Sequence, residues 1–450
     1  MNVTNKNVLV FGSGISGIGA SKLLEEQGAQ VVLYDGNVSL HKSDIDAQLG
    51  GDSKVRIVLG TLEEATMDKL DLVVMSPGVP TDIPLVNRMR EKKIPIWGET
   101  ELAFTYGKGD VLAITGTNGK TTTTALLGEI MKGYKKSVFV VGNIGNPYTT
   151  VVNDTTDDSV VVAEMSSFQL ETIKTFRPKV SAILNITPDH LNRHHTMEAY
   201  IKAKEAIAKN QTAEDTCVLN FEDEETRRFG EIVPAKVLYF SSQRKLEKGI
   251  YLENDCIIYK DTVEVCVCHI EELQLLGVHN YENVMAAVAM AVAYGVPMEL
   301  IQKGIQGFGG VEHRIEYVAD KKGVLYYNDS KGTNPDAAIK GIQAMNRPTY
   351  LIGGGYDKNS SYGDWIQSFD GKVKKLVLLG ATKEKIAKEA KTLGFEDVVL
   401  VHTLEEAVAI CAKSAVPGDA VLLSPACASW GMFRNFEERG DKFKELVNGL

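Results

Sequence analysis

At 450 residues the chain is longer than one hydrophobic core normally organises, and a prior of roughly 150 residues per domain predicts about three domains. Its 44% hydrophobic and 24% charged content is that of an ordinary globular protein, and a net charge of −10 argues against a broad basic surface for nucleic acid or anionic lipid. Small anionic substrates stay open, because a few local cations and helix ends suffice to hold them.

No apolar signal core follows a basic start, since Val8-Leu9-Val10-Phe11 runs straight into a glycine turn. The longest apolar stretch, around Val284 to Val296, is too short to span a bilayer. A cytoplasmic chain is expected, and six scattered cysteines suit a reducing compartment. Cys266-Val267-Cys268-His269 offers metal-type ligands, but no second Cys pair completes a tetrahedral set, so a strand of alternating small residues is expected there.

Residues 6–35 read as a βαβ unit. Asn7 to Phe11 form a strand, Gly12-x-Gly14-x-x-Gly17 opens a helix, and Val31 to Tyr34 form the next strand, ending at Asp35. The pattern lets a diphosphate rest on a helix N-terminus. A nicotinamide or flavin cofactor and a nucleotide-linked substrate both satisfy it, the substrate being preferred. Leu72 to Met75 form another strand, turning at Ser76-Pro77-Gly78-Val79-Pro80, and the first domain closes near Gly98.

The second domain carries Gly116-Thr117-Asn118-Gly119-Lys120-Thr121-Thr122, between a β-rich run (Val111 to Thr115) and a helical pattern (Leu126, Leu127, Ile130, Met131). Strand, glycine turn and a helix opening on Gly-Lys-Thr make a phosphate cradle. Lys120 is expected to reach the β/γ-phosphates and Thr121 to sit on Mg²⁺. Ile114 stands where the usual motif has its first glycine. Further strands at Val138 to Val141, Val160 to Ala163 and Ala182 to Asn185 end in Gly142-Asn143, Glu164 and Asp189-His190. Ligands of open parallel sheets gather at such ends, so Thr121, Glu164 and His190 should converge there. A hydroxyl and a carboxylate suit Mg²⁺; His190, a softer donor, is equally explained as a structural hydrogen-bonding residue. The next helix, Thr196 to Lys209, carries Lys202, Lys204 and Lys209, which on the residues alone form a solvated face. After a β-rich stretch (Val218 to Cys268), Asn280-Tyr281-Glu282-Asn283 begins an apolar helix in which Asn283 could face the nucleotide.

Near Val311-Glu312-His313-Arg314 a third α/β domain begins, with strands at Val324 to Tyr327, Tyr350 to Ile352, Leu376 to Leu379, Val398 to Val401 and Ala420 to Leu423. The fold class is therefore α/β in three consecutive domains, 1–98 Rossmann-like, 99–310 P-loop ATPase-like and 311–450 Rossmann-like. A diphosphate module, an ATPase module and one more α/β module suggest ATP-driven joining. Moving the γ-phosphoryl onto a carboxylate makes a mixed anhydride that an amine can attack, which needs positioning and cations rather than a nucleophilic Ser or Cys triad. The sequence displays no such triad.

The glycine loop, Asp189-His190, His279-Asn280-x-x-Asn283, and His313-Arg314 preceding Asn328-Asp329-Ser330 resemble the Mur ligases of peptidoglycan synthesis. Ser166-Ser167-Phe168-Gln169-Leu170-Glu171 and Ser424-Pro425-Ala426-Cys427-Ala428-Ser429 … Asn435-Phe436-Glu437-x-Arg439-Gly440 are similar to the branch that joins D-glutamate to UDP-N-acetylmuramoyl-L-alanine, and the resemblance spans the chain. It implies that Gly14, Ile15, Ser16, Asp35, Ser76 and Gly78 line a UDP site and that Asn143 contacts the sugar-linked substrate. Lys120, Asn283, Arg314 and Asp329 would hold ATP, and Thr121, Glu164 and His190 would serve two Mg²⁺ ions. Lys204 would carry CO₂ as a carbamate that binds the second ion. Thr333, Lys358, Ser429 and Phe436 would receive D-glutamate, with Lys331 by the transferred phosphate. The chain carries Gly36-Asn37 where some members set a hydroxyl and an arginine against uracil. The resemblance further implies a monomer acting on small molecules, with no nucleic-acid or membrane partner. The alternatives are a sister ligase adding another amino acid, a folate polyglutamate ligase, a non-catalytic nucleotide switch, and an NAD-dependent oxidoreductase with a regulatory ATP site.

Overall fold

The computed structural model describes residues 2–358 and 360–450. Two compact units emerge. One runs through Val267 and takes in Glu282–Ile305; the other joins Cys268–Tyr281 to Gln306–Leu450.

The first unit holds two sheets. In the five-stranded one, β1 (Asn7–Phe11), β2 (Gln30–Asp35), β3 (Arg56–Leu59), β4 (Leu72–Met75) and β5 (Ile96–Gly98) run parallel in the spatial order β3-β2-β1-β4-β5. Strand order reverses at β1, and the crevice that opens there is where doubly wound sheets take their ligands. Gly12 to Gly17 and Ser76 meet at that crevice: the Ser76 amide donates to the Phe11 carbonyl at 2.9 Å and its hydroxyl to the Gly12 carbonyl at 3.2 Å. A side chain at Gly17 would lie 1.8 Å from the Gly12 carbonyl, so only glycine lets the helix Ile15–Glu26 start so close to β1.

The nine-stranded sheet contains β6 (Asp110–Thr115), β7 (Val138–Gly142), β8 (Val160–Glu164), β9 (Val180–Ile183), β10 (Thr216–Asn220), β11 (Lys236–Ser241), β12 (Gly249–Glu253), β13 (Cys256–Lys260) and β14 (Glu264–His269), in the order β14-β13-β12-β11-β10-β9-β6-β8-β7. From β7 to β12 the pairing is parallel; β12 and β13 are antiparallel. The central strands read as continuous Val, Leu, Ala and Ile because both of their faces are buried. The second unit is built on β15 (Glu316–Lys321), β16 (Val324–Asn328), β17 (Thr349–Gly353), β18 (Val373–Leu378), β19 (Val398–Leu400) and β20 (Ala420–Leu423), ordered β15-β16-β20-β17-β18-β19 and parallel except for the antiparallel edge strand β15.

Several expectations shift. The strand expected at Ala182 to Asn185 is Val180–Ile183, because Leu184 and Asn185 leave the ladder to brace the glycine loop. The helix expected over Thr196 to Lys209 is Met197–Glu205 with a 3₁₀ turn at Ala206–Ala208, capped by the Thr196 hydroxyl. The six cysteines read as suiting a reducing compartment are not all thiols: Cys256 on β13 and Cys266 on β14 form a disulfide, whereas Cys217, Cys268, Cys411 and Cys427 are free and buried. Among the described residues no helix is long and apolar enough to cross a membrane.

Candidate active site

The glycine loop leaves β6 and is held from beneath by the chain that leaves β9. The Thr117 amide donates to the Asn185 carbonyl (2.9 Å), and the Asn118 amide to the Asn185 side-chain oxygen (2.8 Å). The Thr187 amide donates to the Thr117 hydroxyl (3.0 Å), which lies 3.0 Å from the Tyr200 hydroxyl. Gly119 stands at φ 86°, and a side chain there would come within 2.1 Å of the Asn283 side-chain oxygen. That contact answers why glycine precedes the lysine, and it places Asn283 beside the loop. Lys120 opens the helix Lys120–Tyr134, and its Nζ donates to the Gly116 and Thr117 carbonyls at 3.0 and 2.9 Å. Thr121 and Thr122 follow on its first turn.

Glu164 ends β8 beside the end of β6, where the Met165 amide donates to the Ile114 carbonyl. The Asn143 side chain donates to Glu164 Oε1 at 2.8 Å, and Glu164 Oε2 is buried with no hydrogen-bond partner among the described residues. A buried carboxylate oxygen left unpaired is costly. Such a hard anionic donor, beside the strand that feeds Thr121, fits Mg²⁺ chemistry. His190 takes a left-handed φ of 54°, packs its ring 5.0 Å from Phe168 and lies 3.4 Å from the Asp189 carboxylate.

Lys204 overturns the solvated-face reading. It is 2% exposed, donates to the Gly116 carbonyl at 2.7 Å and stands 4.7 Å from the Tyr200 ring. Burial, joined by the charge of Lys120, pulls its ammonium down to about 7 against the opposing pull of Asp189. Lys202, two residues earlier, points to solvent and pairs with Glu198. A buried amine that releases its proton near neutral pH fits addition of CO₂.

At the β1 switch point, Asp35 accepts from the Ser13 amide and hydroxyl and from the Asn37 amide. Burial would raise this carboxyl, but those three bonds outweigh it and hold it below the usual range. Asn37 thus braces the acid. Ile15, 72% exposed, begins the first helix, followed by Ser16, while Gly14 caps it. Gly78 lies in the turn after β4.

The remaining expected residues lie in the second unit. Asp329 is buried, accepts from the Ser424 hydroxyl at 2.6 Å, and is pushed up to about 7 by burial despite that bond and the charges of Arg314 and Arg439. Lys331 stands 5.7 Å from the Phe436 ring, and Lys358 4.8 Å from the Trp430 ring. Thr333 closes the turn after β16, its amide donating to the Lys331 carbonyl; Ser429 is buried in the segment after β20. Arg439 is a residue that sequence reasoning quoted without a role. Buried, it donates to the Ser330 hydroxyl and carbonyl and to the Cys427 carbonyl, tying together the two loops that carry Thr333 and Ser429. Only its fixed spacing after Asn435-Phe436 signalled it.

The structure also contains a relay absent from the expectations: Ser167 Oγ lies 2.9 Å from His194 Nε2, and His194 Nδ1 lies 3.2 Å from Glu171. Ser167 is 2% exposed, so this is an internal brace and no nucleophile.

A phosphate loop, a hard-donor carboxylate and a buried lysine at neighbouring strand ends, in a chain of three α/β sheets, are the equipment of a nucleotide-driven ligase. Residues 6–98 match the Mur ligase MurD-like N-terminal domain, 114–291 the Mur ligase middle domain and 313–427 the Mur ligase glutamate ligase domain. The chain belongs to the Mur ligase family. Over its whole length it is 60% identical to UDP-N-acetylmuramoylalanine--D-glutamate ligase of Lachnoclostridium phytofermentans, covering 99% of that protein. It is 46% identical to the protein of the same name from Clostridioides difficile, each covered completely. Among solved structures it is similar to UDP-N-acetylmuramate-alanine ligase MurC of Thermotoga maritima (21% identity, 99% of each chain, TM-score 0.59) and to MurF of Acinetobacter baumannii (17% identity, 98% of this chain and 93% of that one, TM-score 0.60). At those identities the likeness is one of fold.

Proposed function

We propose that the protein joins D-glutamate to UDP-N-acetylmuramoyl-L-alanine at the expense of ATP, as a cytoplasmic monomer in peptidoglycan precursor synthesis. The buried, unpaired oxygen of Glu164 beside the glycine loop carries the ligase reading, because a bound cation would satisfy a group that is costly to leave unpaired. The choice of D-glutamate is supported by the names of relatives 46–60% identical over the full chain.

Residues 1–98 bind the UDP-linked acid through Gly14, Ile15, Ser16, Asp35, Ser76 and Gly78, with Asn143 on the sugar side. Residues 99–310 bind ATP through residues 116–122 and Asn283. Residues 311–450 receive the amino acid at Thr333, Lys358, Ser429 and Phe436. Mur ligases use ATP and Mg²⁺; Thr121, Glu164 and His190 would hold the metal, with Lys204 as a carbamate for a second ion, and the metal would supply neutralisation of phosphate charge when bound.

The chain's own groups do the rest. Loop amides and the start of the helix Lys120–Tyr134 hold the phosphates, and Lys120 leaves its carbonyl partners to balance the charge that develops on the γ-phosphoryl. The substrate carboxylate attacks that phosphorus, ADP leaves, and an acyl phosphate forms. The neutral amine of D-glutamate then attacks the acyl carbon, phosphate leaves beside Lys331, and the amine gives up a proton. Lys358 pairs a carboxylate of the incoming amino acid.

The test is ADP release from ATP and UDP-N-acetylmuramoyl-L-alanine with D- and L-glutamate side by side. Release dependent on the D isomer is expected, and equal release with both, or none, overturns the reading. Borohydride added before the amino acid should trap the activated carboxyl group as an alcohol.

A further inference from the structure

We propose that Glu171 is a positioning residue that ties the loop following β4, on the UDP side, to the segment carrying His190, so that the nucleotide-sugar and metal sites are set together. The proposal rests on the reading above for what those two sites bind.

Glu171 follows the short helix Ser167–Leu170, and three groups converge on its carboxylate. On Oε2 it accepts from the Thr81 hydroxyl at 3.2 Å and from the Arg193 guanidinium at 3.1 Å; on Oε1 it meets His194 Nδ1 at 3.2 Å. Thr81 belongs to the turn that begins at Ser76 and Gly78. Arg193 reaches the same turn again, donating to the Val79 carbonyl at 3.1 Å, and His195 Nε2 lies 2.9 Å from the Asp82 carboxylate. Three consecutive side chains, Arg193 to His195, are thus spent on holding residues 79–82 and Glu171.

Those side chains lie three to five positions after His190, which caps their helix, Leu191–His194. Fixing the far end of so short a helix fixes its cap. The Phe168 ring completes the brace: it lies 4.6 Å from the Arg193 guanidinium, 5.0 Å from the His190 ring and 5.4 Å from the His194 ring. Glu171 and Arg193 have side chains only 18% and 13% exposed, so the pair is largely shielded, and deleting one charge leaves the other uncompensated. Glu171 acts through Arg193 and His194 on His190.

The test compares wild type with Glu171→Gln, which keeps the shape and loses the charge, and with Thr81→Val, which removes only the arm to the β4 turn. In Glu171→Gln the KM for UDP-N-acetylmuramoyl-L-alanine and the Mg²⁺ concentration at half-maximal rate should each rise about 10-fold, while the KM for D-glutamate stays put. Thr81→Val should move the same two quantities in the same direction by about 3-fold. Calorimetric binding of the UDP substrate without ATP or amino acid should weaken in parallel in both variants. Unchanged UDP-substrate and Mg²⁺ dependence in either folded variant overturns the proposal, as does an equal rise in all three constants, which marks general loosening. If Glu171→Gln fails to fold, Thr81→Val decides. If wild type binds the UDP substrate but joins no D-glutamate, the functional reading fails while the binding comparison still decides the role of Glu171.

Discussion

Lys204 shows how far a side chain can depart from its sequence context. Between Lys202 and Lys209 on a polar helix, nothing in the pattern separates it from a surface lysine. Only the tertiary approach of Gly116 buries it, against Tyr200 one turn earlier on its own helix, and only the family resemblance pointed to it. Lys120→Ala should abolish turnover. Lys204→Ala should lower kcat by about 100-fold or more, with partial recovery on adding formate or acetate, small carboxylates that can take the place of a carbamate. Full activity of Lys204→Ala in an ADP-release assay would refute the carbamate. Asp329 allows a second prediction. Folded, it keeps its proton up to about pH 7; unfolded, it loses it near 4. Between those values the folded state holds the extra proton, so this group's contribution is fully present below about pH 4 and is lost as pH rises through about 7. The urea midpoint of Asp329→Asn, measured against wild type between about pH 5 and 7.5, should lack this decline, a difference of roughly 2–4 kcal/mol across the window.

At the scale of elements, what was legible is what local chemistry encodes. The strands at Asn7–Phe11, Leu72–Met75 and Ala420–Leu423 match expectation to the residue, because each is a buried run bounded by turn formers. The edge strands β3, β5 and β15 escaped: β3 and β5 are four and three residues long, and β15, though longer, is half-buried and carries Glu316, Asp320 and Lys321 at its ends. The brace from Glu171 escaped for another reason: it joins residues 90 and 22 positions apart, and no period reports such a meeting. The glycine loop was legible in outline, and the structure adds why its second glycine is required. Gly119→Ala would force a side chain into the left-handed region and against Asn283. It should weaken ATP binding, measured by calorimetry, by about 10-fold or more while circular dichroism shows the fold kept.

For the whole molecule, the division into units does not follow chain order. Residues 268–281 belong with 306–450, where Leu273 and Leu275 are buried and Leu276 packs on the core of Tyr327, Leu351 and Trp365. No composition shift marks this crossing, because both stretches flanking it are ordinary α/β sequence. A fragment of residues 311–450 should therefore unfold at lower urea than the same fragment joined to 268–281 through a flexible linker, by about 2 kcal/mol or more, since each leucine withheld from a core costs on that scale. Equal midpoints would show the strap to be dispensable.

That exchanged strap also sets a timetable for the newborn chain. Leu276, which packs on the core of the second unit, and Leu275, which stands beside Gly310, leave the ribosome before the residues of 306–450 that will cover them. Synthesis of the remaining stretch to residue 450 takes about 10–30 seconds at about 5–20 residues per second, and until it emerges these leucines wait uncovered. Translation that stalls within the last third of the message should therefore yield a nascent chain that trigger-type holdases grip at that strap, while the two sheets already complete are left alone.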